Sequence, residues 1–513
     1  MREFQTVVSL LDGGRDADTA VGGLDQKGLS YAGLRSLTGR TIDRLNQLGI
    51  GRNDRVAIVL GNGPHMATAF VTIAAGATTA PLNPVYRAEE FEFYLNDLQA
   101  KTLLVERGVD SPARAVAQKL GVPIVELCPD PAAGAGAFTI EPLGTPGGRA
   151  TSTGAAEAND IALILHTSGT TSRPKMVPLS QKNITASARH IVGTIQLSPD
   201  DVCLNIMPLF HIHGLMAAVL STLAAGAEVW CSPGFNPLKF FGWLDDVRPS
   251  WYTAVPTMHQ TILTRAERNP DAIGRSRLRL IRSSSASLPS TVMGQLEETF
   301  RAPVIESYGM TEASHQMASN PLPPRARKPG SVGVAAGPEV AVMDEQGTLL
   351  PAGSTGEVVI RGPNVTLGYV ANPDANAKAF TNGWFRTGDQ GVIDEEGYLR
   401  LTGRLKELIN RGGEKISPLE VDEVLMDHPA VQQVVTFAVP HDALGEDVAA
   451  AVVLREGQTV TERALKDFAA ARLADFKLPR KIVFLSEIPK GATGKLQRIG
   501  LASKLGLGSP SPT

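Results

Sequence analysis

Residues 161–175, IALILHTSGTTSRPK, join a largely apolar run to a polar loop, and this junction decides the fold. Ile161–His166 is predicted to be a buried strand. The loop Thr167–Lys175 has five hydroxyl side chains, one glycine and two cations in nine residues. Hydroxyls and backbone N–H groups can surround phosphate oxygens, and α/β folds place ligands where strands end. The junction therefore predicts an α/β fold with a phosphate-binding loop, with a polar surface turn as the alternative.

Strands and helices alternate on both sides of this junction, as in βαβ units with largely parallel sheets. The predicted strands are Val56–Leu60, Thr102–Val105, Ile161–His166, Val202–Leu209, Ala227–Cys231, Trp251–Val255 and Leu278–Arg282. The predicted helices are Gln181–Ile195, Leu215–Ala225, Pro237–Val247, Thr257–Arg268 and Leu288–Phe300. A Gly/Ala/Thr-rich segment, Gly144–Asn159, is predicted to be an exposed linker.

The pattern changes twice toward the C-terminus. Short runs broken by Gly and Pro over Val332–Ile393 predict a β-rich subdomain. After Arg404, a helix start of the form Ser-Pro-x-Glu at Ser417 opens a small α+β domain. We therefore divide the chain into an N-terminal region, residues 1–403, and a C-terminal domain, residues 404–513.

The composition is that of an ordinary globular protein. The 513 residues include 49 Lys and Arg against 52 Asp and Glu, for a net charge of -3, with 43% hydrophobic and 20% charged residues. A nucleic-acid binder needs a basic surface to neutralise phosphates, and a polybasic membrane anchor needs clustered cations. The charge balance argues against both classes. The uncharged run Gly214–Ala227 is shorter than the roughly 20 residues of a membrane-spanning helix.

The three cysteines, Cys128, Cys203 and Cys231, are too few for a disulfide framework and fit no zinc-binding spacing. They are expected to be free thiols in a reducing compartment. The N-terminus lacks the pattern of a secretory signal, and the C-terminus lacks a peroxisomal Ser-Lys-Leu signal. We therefore expect a cytoplasmic protein, either a monomer or a homodimer.

Three further motifs place polar side chains next to apolar runs or glycines. In YGMTE, Thr311 beside Glu312 suits a phosphate contact and one Mg²⁺ ligand, because Mg²⁺ uses few carboxylates alongside substrate phosphates. In RTGD, Asp389 has oxygen acceptors suited to sugar hydroxyls. In PKGATGK, Lys495 lies on a loop that is predicted to be mobile. Each motif taken alone is also compatible with a solvated surface turn.

Two competing motifs are incomplete. Ser172 and Lys175 have the spacing of a Ser-Lys hydrolase, but Pro174 disfavours the helix that would bring them together. His211 and His213 could form a metal-binding pair on a strand, but no third ligand occurs at a useful spacing. Neither a hydrolase site nor a histidine metal site is expected.

The motifs TSGTTSRPK, YGMTE, RTGD, GRLKELINRGGEK and PKGATGK resemble those of the adenylate-forming superfamily in order and spacing. This superfamily includes acyl-CoA synthetases, firefly-type luciferases and peptide-synthetase adenylation domains, and the resemblance extends from Gly22 to Arg498. It implies two βαβ sheet subdomains, a β-rich subdomain and a mobile C-terminal domain hinged at Lys406. The implied activity is that of an acid–CoA ligase. A carboxylate attacks the α-phosphorus of ATP, pyrophosphate leaves, and the thiol of coenzyme A then displaces AMP.

The resemblance implies roles for residues in the matched motifs. The nucleotide-binding residues would be Thr167, Ser168, Gly169, Thr170, Thr171, Lys175, Ser285, Ala286, Ser287, Glu306, Ser307, Tyr308, Gly309, Asp389 and Arg404. Tyr308 would stack on the base, and Asp389 and Arg404 would bind the ribose. The catalytic residues would be Lys495, Thr311, Glu312 and His211, with Glu312 also the Mg²⁺ ligand. Gly412 and Gly413 would contact the pantetheine of coenzyme A after the C-terminal domain rotates.

Two departures from the family pattern affect the implied pockets. Met176 replaces the glycine that usually follows the loop lysine, so a tighter exit from the loop is expected. Ser284-Ser285-Ala286 replaces the usual Gly-Gly-Ala, which should make the acyl pocket smaller and more polar. The implied substrate-binding residues are His211, His213, Ser285, Ser287 and His315.

These polar side chains favour a small acid with a second carboxylate, because a buried second charge needs hydrogen-bonding partners. The sequences WYTAVPTMHQTIL, SSSASL, MTEASHQMASNPLP and RGPNVTLGY are similar to the oxalate–CoA ligase branch of the superfamily. We therefore expect oxalate or another small polar acid as substrate. A medium- or long-chain fatty acid, which would need an apolar pocket, is the alternative. A luciferase-type monooxygenase and a Ser-Lys hydrolase are less favoured.

Overall fold

The protein, represented by a computed structural model, is described over residues 4–144, 148–167, 174–489 and 496–508. These residues form four β-sheets with helices packed on them. The predicted mixed α/β fold is confirmed. Most predicted strands and helices occur within a few residues of the expected bounds.

The first sheet has seven strands, of which the inner five are parallel. In spatial order the strands are Phe138–Leu143, Ile124–Pro129, Thr102–Glu106, Arg55–Val59, Thr78–Pro81, Ile161–Thr167 and Lys175–Ser180. The helices of this region are Tyr31–Gln47, Pro64–Ala74, Ala88–Leu98 and Pro112–Leu120. Val56 and Ile58 pack into the core cluster of Phe70, whereas the alternate residues Ala57 and Val59 pack into the cluster on the other face. Helices on both faces thus bury the central strands of this sheet.

The second sheet has nine strands, and the six from Thr19–Gly23 to Val304–Met310 are parallel. In spatial order the strands are Val334–Ala335, His315–Ser319, Val304–Met310, Leu280–Ser284, Trp251–Ala254, Val202–Asn205, Glu228–Cys231, Thr19–Gly23 and Leu29–Ser30. The helices are Gln181–Thr194, Ser221–Ala224, Phe240–Val247, Pro256–Ala266, Pro270–Arg275 and Ser290–Phe300. The π-helix His213–Leu220 leads into Ser221–Ala224, and π-helical turns are frequent at functional sites.

Two smaller sheets follow, as the change of pattern predicts. The antiparallel β-rich sheet contains Glu339–Met343, Thr355–Arg361, Phe380–Thr381, Trp384–Ile393 and Leu399–Arg404. The C-terminal sheet contains Ile409–Arg411, Glu414–Ile416, Val431–His441, Gly445–Leu454 and Lys481–Phe484, with helices Pro418–Met426 and Glu462–Ala470. Ser417 is the N-cap of the first of these helices, because its hydroxyl accepts from the Glu420 N–H. The remaining short helices are Val7–Leu10, Leu11–Gly13, Thr311–Ala313, Pro373–Ala379, Asp475–Lys477 and Leu501–Lys504.

One predicted strand, Val202–Leu209, is too long. The strand ends at Asn205, whose side-chain oxygen accepts from the Met207 N–H at 3.0 Å, and Pro208 then offers no N–H to the sheet. The alternative that placed the histidine pair on a strand is therefore wrong, since His213 begins a helix.

The segment Gly144–Asn159, predicted to be an exposed linker, is mostly exposed over its described residues but is also anchored to the fold. The Ala150 N–H donates to the Asn46 carbonyl at 2.9 Å, and the Ala156 N–H donates to the Ala75 carbonyl at 2.8 Å. These hydrogen bonds tie the segment to two helix ends, so it is not a free spacer. Within the described ranges, no helix has both the length and the apolar character to cross a membrane.

Candidate active site

Several of the predicted site residues lie at or just after the carboxyl ends of strands in the two large sheets. Thr167 ends one strand and pairs in register with Lys175 on the returning strand. Ser285 directly follows the strand Leu280–Ser284. The predicted residues Ser168, Gly169, Thr170, Thr171 and Lys495 lie outside the described residues. Their roles therefore stay predictions from the sequence.

Glu312, Lys175 and Tyr369 form a first contact group. Glu312 lies in the 3₁₀ turn Thr311–Ala313, which continues the strand Val304–Met310. The Tyr369 hydroxyl donates to Glu312 Oε1 at 3.0 Å, and Lys175 Nζ lies 4.4 Å from the centroid of the Tyr369 ring. One tyrosine thus supports both the carboxylate and the ammonium, through a hydrogen bond and a cation–π contact respectively.

Burial shifts both ionisable groups of this contact group toward their neutral forms. Glu312 is 6% exposed, and burial raises its pKa, although the Tyr369 hydroxyl and the Lys175 charge oppose the rise. Burial and the nearby charge of Lys406 lower the pKa of Lys175. In this environment the charged form of the carboxylate is stabilised when a cation binds beside it. The surroundings of Glu312 therefore fit a Mg²⁺ ligand that acts together with phosphate oxygens.

Tyr308, Asp389 and Arg404 form a second contact group. Asp389 and Arg404 are register partners on adjacent antiparallel strands. Arg404 Nε lies 3.0 Å from Asp389 Oδ1, and the Tyr308 hydroxyl donates to Asp389 Oδ2. The Arg404 side chain is 52% exposed, whereas that of Asp389 is 7% exposed. Both carboxylate oxygens of Asp389 already have protein donors. Ribose hydroxyls that bind Asp389 would therefore have to share these oxygens with Tyr308 and Arg404.

Two predicted nucleotide contacts, Glu306 and Ser307, have buried side chains that support the sheet. Glu306 Oε1 accepts from the Leu288 N–H at 2.9 Å. The Ser307 hydroxyl shares a hydrogen bond of 2.9 Å with the Ser319 hydroxyl. Burial raises the pKa of Glu306 to about 8. These contacts hold the strand that carries Tyr308 of the second contact group. Any nucleotide contact by Glu306 or Ser307 would therefore come from the backbone.

The turn around Glu312 has a constrained backbone. A Cβ at Gly309 would lie 1.8 Å from the His315 carbonyl oxygen, so only glycine fits there. Ser314 and His315 have φ angles of 49° and 96°, in the region that non-glycine residues rarely adopt. The Ser314 hydroxyl donates to the Asn364 carbonyl at 2.9 Å and helps to hold this conformation. Such backbone conformations cluster at ligand sites, and here they place the His315 ring against that of His213.

His213, Ser285 and His315 form a third contact group, which we call the polar pocket because the acid is predicted to bind beside it. The rings of His213 and His315 stack with centroids 5.0 Å apart and planes at 21°. His213 Nδ1 lies 3.0 Å from the Ser285 hydroxyl, and His213 Nε2 lies 2.6 Å from the Thr253 hydroxyl. His211 adjoins the group, because its Nδ1 accepts from the His213 N–H at 3.3 Å. Four of the five predicted substrate-binding residues thus lie together.

Of the segment Ser284–Ser287, only Ser285 has its side chain in the polar pocket. Ser284 is fully buried, and its hydroxyl donates to the Ser307 carbonyl at 2.9 Å. Ala286 and Ser287 are exposed beyond Ser285. Met176, after the phosphate loop, is 7% exposed and belongs to a hydrophobic core cluster.

Comparison with known proteins identifies the family. Residues 13–370 match the AMP-binding enzyme family, and residues 420–495 match the AMP-binding enzyme C-terminal domain. This chain belongs to the AMP-binding enzyme family. It is 46% identical to the oxalate–CoA ligase of Arabidopsis thaliana over 475 residues, 92% of each chain. It is 44% identical to the oxalate–CoA ligase of Saccharomyces cerevisiae over 481 residues, 87% of this chain and 86% of that one.

A solved structure supports the same assignment. The ATP-bound MatB structure from Rhodopseudomonas palustris is 30% identical and superposes with a TM-score of 0.87 over 98% of this chain and 99% of that chain. The predicted superfamily and the predicted class are thus confirmed. The protein is an ATP-dependent acid–CoA ligase that uses ATP, coenzyme A and a small carboxylic acid as substrates and Mg²⁺ as cofactor.

The chain passes from the β-rich sheet to the C-terminal sheet between Arg404 and Ile409. Arg404 ends the last strand of the β-rich sheet, and Ile409 begins the C-terminal sheet. Lys406, the predicted hinge residue, is exposed in the intervening turn. Gly412 and Gly413, with φ angles of 62° and 99°, form the exposed turn of the next hairpin. The predicted hinge and coenzyme A contacts therefore fall on solvent-exposed positions next to the change of sheet.

Three residues that contact the candidate site were not predicted from the sequence: Tyr369, Thr253 and Arg282. Tyr369 lies in the string RGPNVTLGY, far from Glu312 in sequence, and no local rule connects the two residues. Thr253 lies near the carboxyl end of its strand, where α/β enzymes bind ligands, and Arg282 is its register partner on the adjacent parallel strand. An arginine inside an otherwise apolar predicted strand is a signal that could have found Arg282 from the sequence.

Proposed function

We propose that this ligase activates oxalate or a closely similar small dicarboxylic acid. The observation that carries the proposal is the polar pocket, in which Ser285 contacts a His213 ring stacked on His315. Imidazole and hydroxyl donors can hydrogen-bond a second carboxylate, which would be costly to bury without partners. His211, next to His213, belongs to the same side of the site. The names of the two oxalate–CoA ligases that share 46% and 44% identity with the chain support the same acid.

The nucleotide is proposed to bind across the first and second contact groups. The loop Thr167–Lys175 would hold the β- and γ-phosphates, and Thr311 would contact the α-phosphate. Tyr308 would stack on the adenine, while Asp389 and Arg404 would bind the ribose. The proximity of Lys175 to Glu312 supports this placement, since a triphosphate needs both a cationic side chain and a metal ligand.

Glu312 is proposed to hold Mg²⁺. The positive charge of a bound Mg²⁺ would offset the negative charge of the triphosphate. Among the residues that the structure describes, no group of three or more His, Cys, Asp or Glu is placed to hold a metal by itself. A single carboxylate suffices here, because Mg²⁺ commonly takes most of its ligands from phosphates and water. Buried and hydrogen-bonded by Tyr369, Glu312 has a fixed orientation for this role.

The two half-reactions follow from these placements. An oxygen of the acid attacks the α-phosphorus, the bond to the β-phosphate oxygen breaks, and pyrophosphate leaves. Lys495 is proposed to bridge the attacking carboxylate and the α-phosphate, because a cation there offsets the repulsion between two anions. The thiol of coenzyme A then loses its proton and attacks the acyl carbonyl, and AMP leaves.

A domain movement is proposed to separate the two half-reactions. The C-terminal domain, residues 404–513, would rotate about Lys406 relative to residues 1–403. This rotation would remove Lys495 and bring Gly412 and Gly413 to the coenzyme A side. The closed arrangement would also exclude water from the reactive acyl-adenylate. The exposed turn between the two sheets supports a hinge at this position.

Pyrophosphate release with oxalate or octanoate as the acid tests the proposed substrate. We expect turnover with oxalate, since an octanoyl chain would leave the polar pocket without hydrogen-bonding partners. Ser285→Ala should raise the KM for oxalate by about tenfold or more, as expected for a lost hydrogen bond to a charged group. Ser290→Ala, an exposed serine at the start of the next helix, is the matched control and should leave this KM unchanged. Turnover of octanoate without turnover of oxalate would contradict the proposal.

A cytoplasmic location is part of the same proposal. Cys203 and Cys231 are buried free thiols, and burial raises the pKa of each thiol. Free thiols suit a reducing compartment. Fractionation of cells that produce the protein, followed by detection of the protein in each fraction, tests this location.

A further inference from the structure

A fully buried arginine lies behind the polar pocket. Arg282, in the middle of the strand Leu280–Ser284, is 0% exposed. Its two terminal nitrogens lie 3.4 Å from the Thr253 hydroxyl and 3.3 Å from Gln316 Oε1. Both acceptors are neutral. Arginine is almost never fully buried without a charged partner, so this position requires an explanation.

Among the residues that the structure describes, no ion pair balances the charge of Arg282. Among the described residues, its Nε has no hydrogen-bond acceptor. Burial lowers the pKa of Arg282 to about 9, so the guanidinium remains protonated at neutral pH. The same face of the sheet is apolar toward the other end of the strands, at Trp251 and Leu280, so the side chain cannot reach solvent there. A buried cation of this kind is stabilised when an anion binds nearby.

Thr253 links Arg282 to the polar pocket. The two residues are register partners on adjacent strands, and the Thr253 oxygen accepts from the Arg282 guanidinium. The hydroxyl hydrogen of Thr253 can then be donated to His213 Nε2, at 2.6 Å. His213 in turn carries its proton on Nδ1 and donates to the Ser285 hydroxyl at 3.0 Å, which leaves the Ser285 hydrogen for the acid.

We propose that Arg282 is a positioning residue that makes the enzyme select acids with a second negative charge. Through Thr253 it orients His213, whose Nδ1–H in turn holds the Ser285 hydroxyl as a hydrogen-bond donor, and its charge lies behind them where the far carboxylate of the acid would bind. This inference rests on the proposed function, since it states which chemical feature of the acid the polar pocket recognises. An acid of the same shape with a neutral far end gains less from the oriented donors and from the charge.

A purely structural role for Arg282 is the competing explanation. Gln316, which accepts from Arg282, also donates to the Thr194 hydroxyl at 2.9 Å and to the Ala336 carbonyl at 3.0 Å. Arg282 could therefore serve only to join three parts of the fold. A structural role predicts equal losses with every acid, whereas a selecting role predicts losses that depend on the charge of the acid.

Oxalate and oxamate separate the two explanations, because oxamate has the size of oxalate but a neutral carboxamide in place of the second carboxylate. The measurement is the ratio of kcat/KM for oxalate to that for oxamate, from pyrophosphate release. Arg282→Met keeps the length of the side chain and removes its charge, and we expect this ratio to fall by about 10- to 100-fold. Arg282→Lys restores the charge and should keep the ratio within about tenfold of wild type.

Two further variants complete the experiment. Thr253→Val removes the link to His213 without changing any charge, and it should lower the oxalate-to-oxamate ratio in the same direction as Arg282→Met. If Arg282→Met does not fold, as judged by thermal melting, Thr253→Val decides the question. Arg279→Met is the charge-matched control, because Arg279 pairs with Asp201, at 2.6 Å, outside the polar pocket. This control should leave the ratio unchanged.

The outcomes distinguish this inference from the proposed function. If Arg282→Met and Thr253→Val lower kcat/KM equally for both acids, Arg282 has only a structural role and the inference is wrong. Oxalate turnover by the wild-type enzyme would still support the proposed function in that case. If the wild-type enzyme uses octanoate but neither oxalate nor oxamate, the proposed function and the inference are both wrong.

Discussion

Removing the hydroxyl of Tyr369 tests whether the surroundings of Glu312 keep it charged for Mg²⁺. Tyr369→Phe deletes the hydrogen bond of 3.0 Å to Glu312 Oε1 and keeps the ring that lies 4.4 Å from Lys175 Nζ. Burial raises the pKa of Glu312, and the Tyr369 hydroxyl opposes that rise. We expect the pKa of Glu312 to rise further in the variant, so its carboxyl group holds a proton at higher pH and binds cations more weakly.

The size of the effect follows from the burial of Glu312. A hydrogen bond to a charged group contributes about 1.5–3 kcal/mol. With Glu312 only 6% exposed, water cannot readily replace the lost donor, so the full range applies. At about 1.4 kcal/mol for each factor of ten, the apparent affinity for Mg²⁺ should fall by about 10- to 100-fold. The cation–π contact with Lys175 is unchanged in Tyr369→Phe and is lost only in Tyr369→Leu.

The assay is pyrophosphate release as a function of free Mg²⁺ concentration, at neutral pH and at a lower pH. The variant should need more Mg²⁺ at both pH values, and the deficit should grow as the pH falls. Tyr398→Phe is the matched control, because Tyr398 also contacts a lysine, Lys328 at 4.2 Å, and donates to the Ala326 carbonyl at 2.7 Å outside this group. A Tyr369→Phe enzyme with the Mg²⁺ dependence of wild type would refute the reasoning.

Three other predictions concern Glu306, Gly309 and Lys495. Burial raises the pKa of Glu306 from 4.5 to about 8, so its contribution to stability is present below pH 4.5 and is lost as the pH rises through 8. The free energy of unfolding, measured by urea titration at pH values from 4.5 to 8, should therefore fall as the pH rises in wild type. In Glu306→Gln the fall should be smaller, by up to about 5 kcal/mol, and parallel curves for the two proteins would contradict this. Gly309→Ala should lower the melting temperature, because its Cβ would lie 1.8 Å from the His315 carbonyl oxygen, and an unchanged melting curve would show that the backbone adjusts. Lys495→Ala should slow adenylate formation by about 10²- to 10³-fold and spare thioester formation from supplied acyl-adenylate, and equal losses in the two steps would contradict the domain rotation.

Much of the architecture was predictable because it depends on local patterns. The apolar run that ends at His166 and the hydroxyl-rich loop after it predict a strand and a ligand loop at the edge of a sheet, and the structure has the strand. Ser417 with Pro418 predicts a helix start, which is confirmed. The strand predicted over Val202–Leu209 was too long, since periodicity does not show that the Asn205 side chain would bond its own backbone two residues later.

The contacts of the site were less predictable, because they join residues that are distant in the chain. Asp389 and Arg404 could be singled out from RTGD and GRLK, but the Tyr308 hydrogen bond to Asp389 depends on two different sheets meeting. Glu306 and Ser307 directly precede Tyr308 on the strand Val304–Met310, and both side chains are buried, because this strand lies inside the sheet and is packed on both faces.

The amino-acid sequence alone was enough to determine the superfamily, the reaction class and many of the strands and helices along the chain, because motifs and hydrophobic periods are properties of neighbouring residues. Only the folded chain decided which side chains share a contact. Parallel strands that are well separated in sequence bring Thr253 beside Arg282 and His213, and a distant loop brings Tyr369 to Glu312. Hydrogen bonding, burial and charge depend on distances in space, and those distances are set by how the sheets pack.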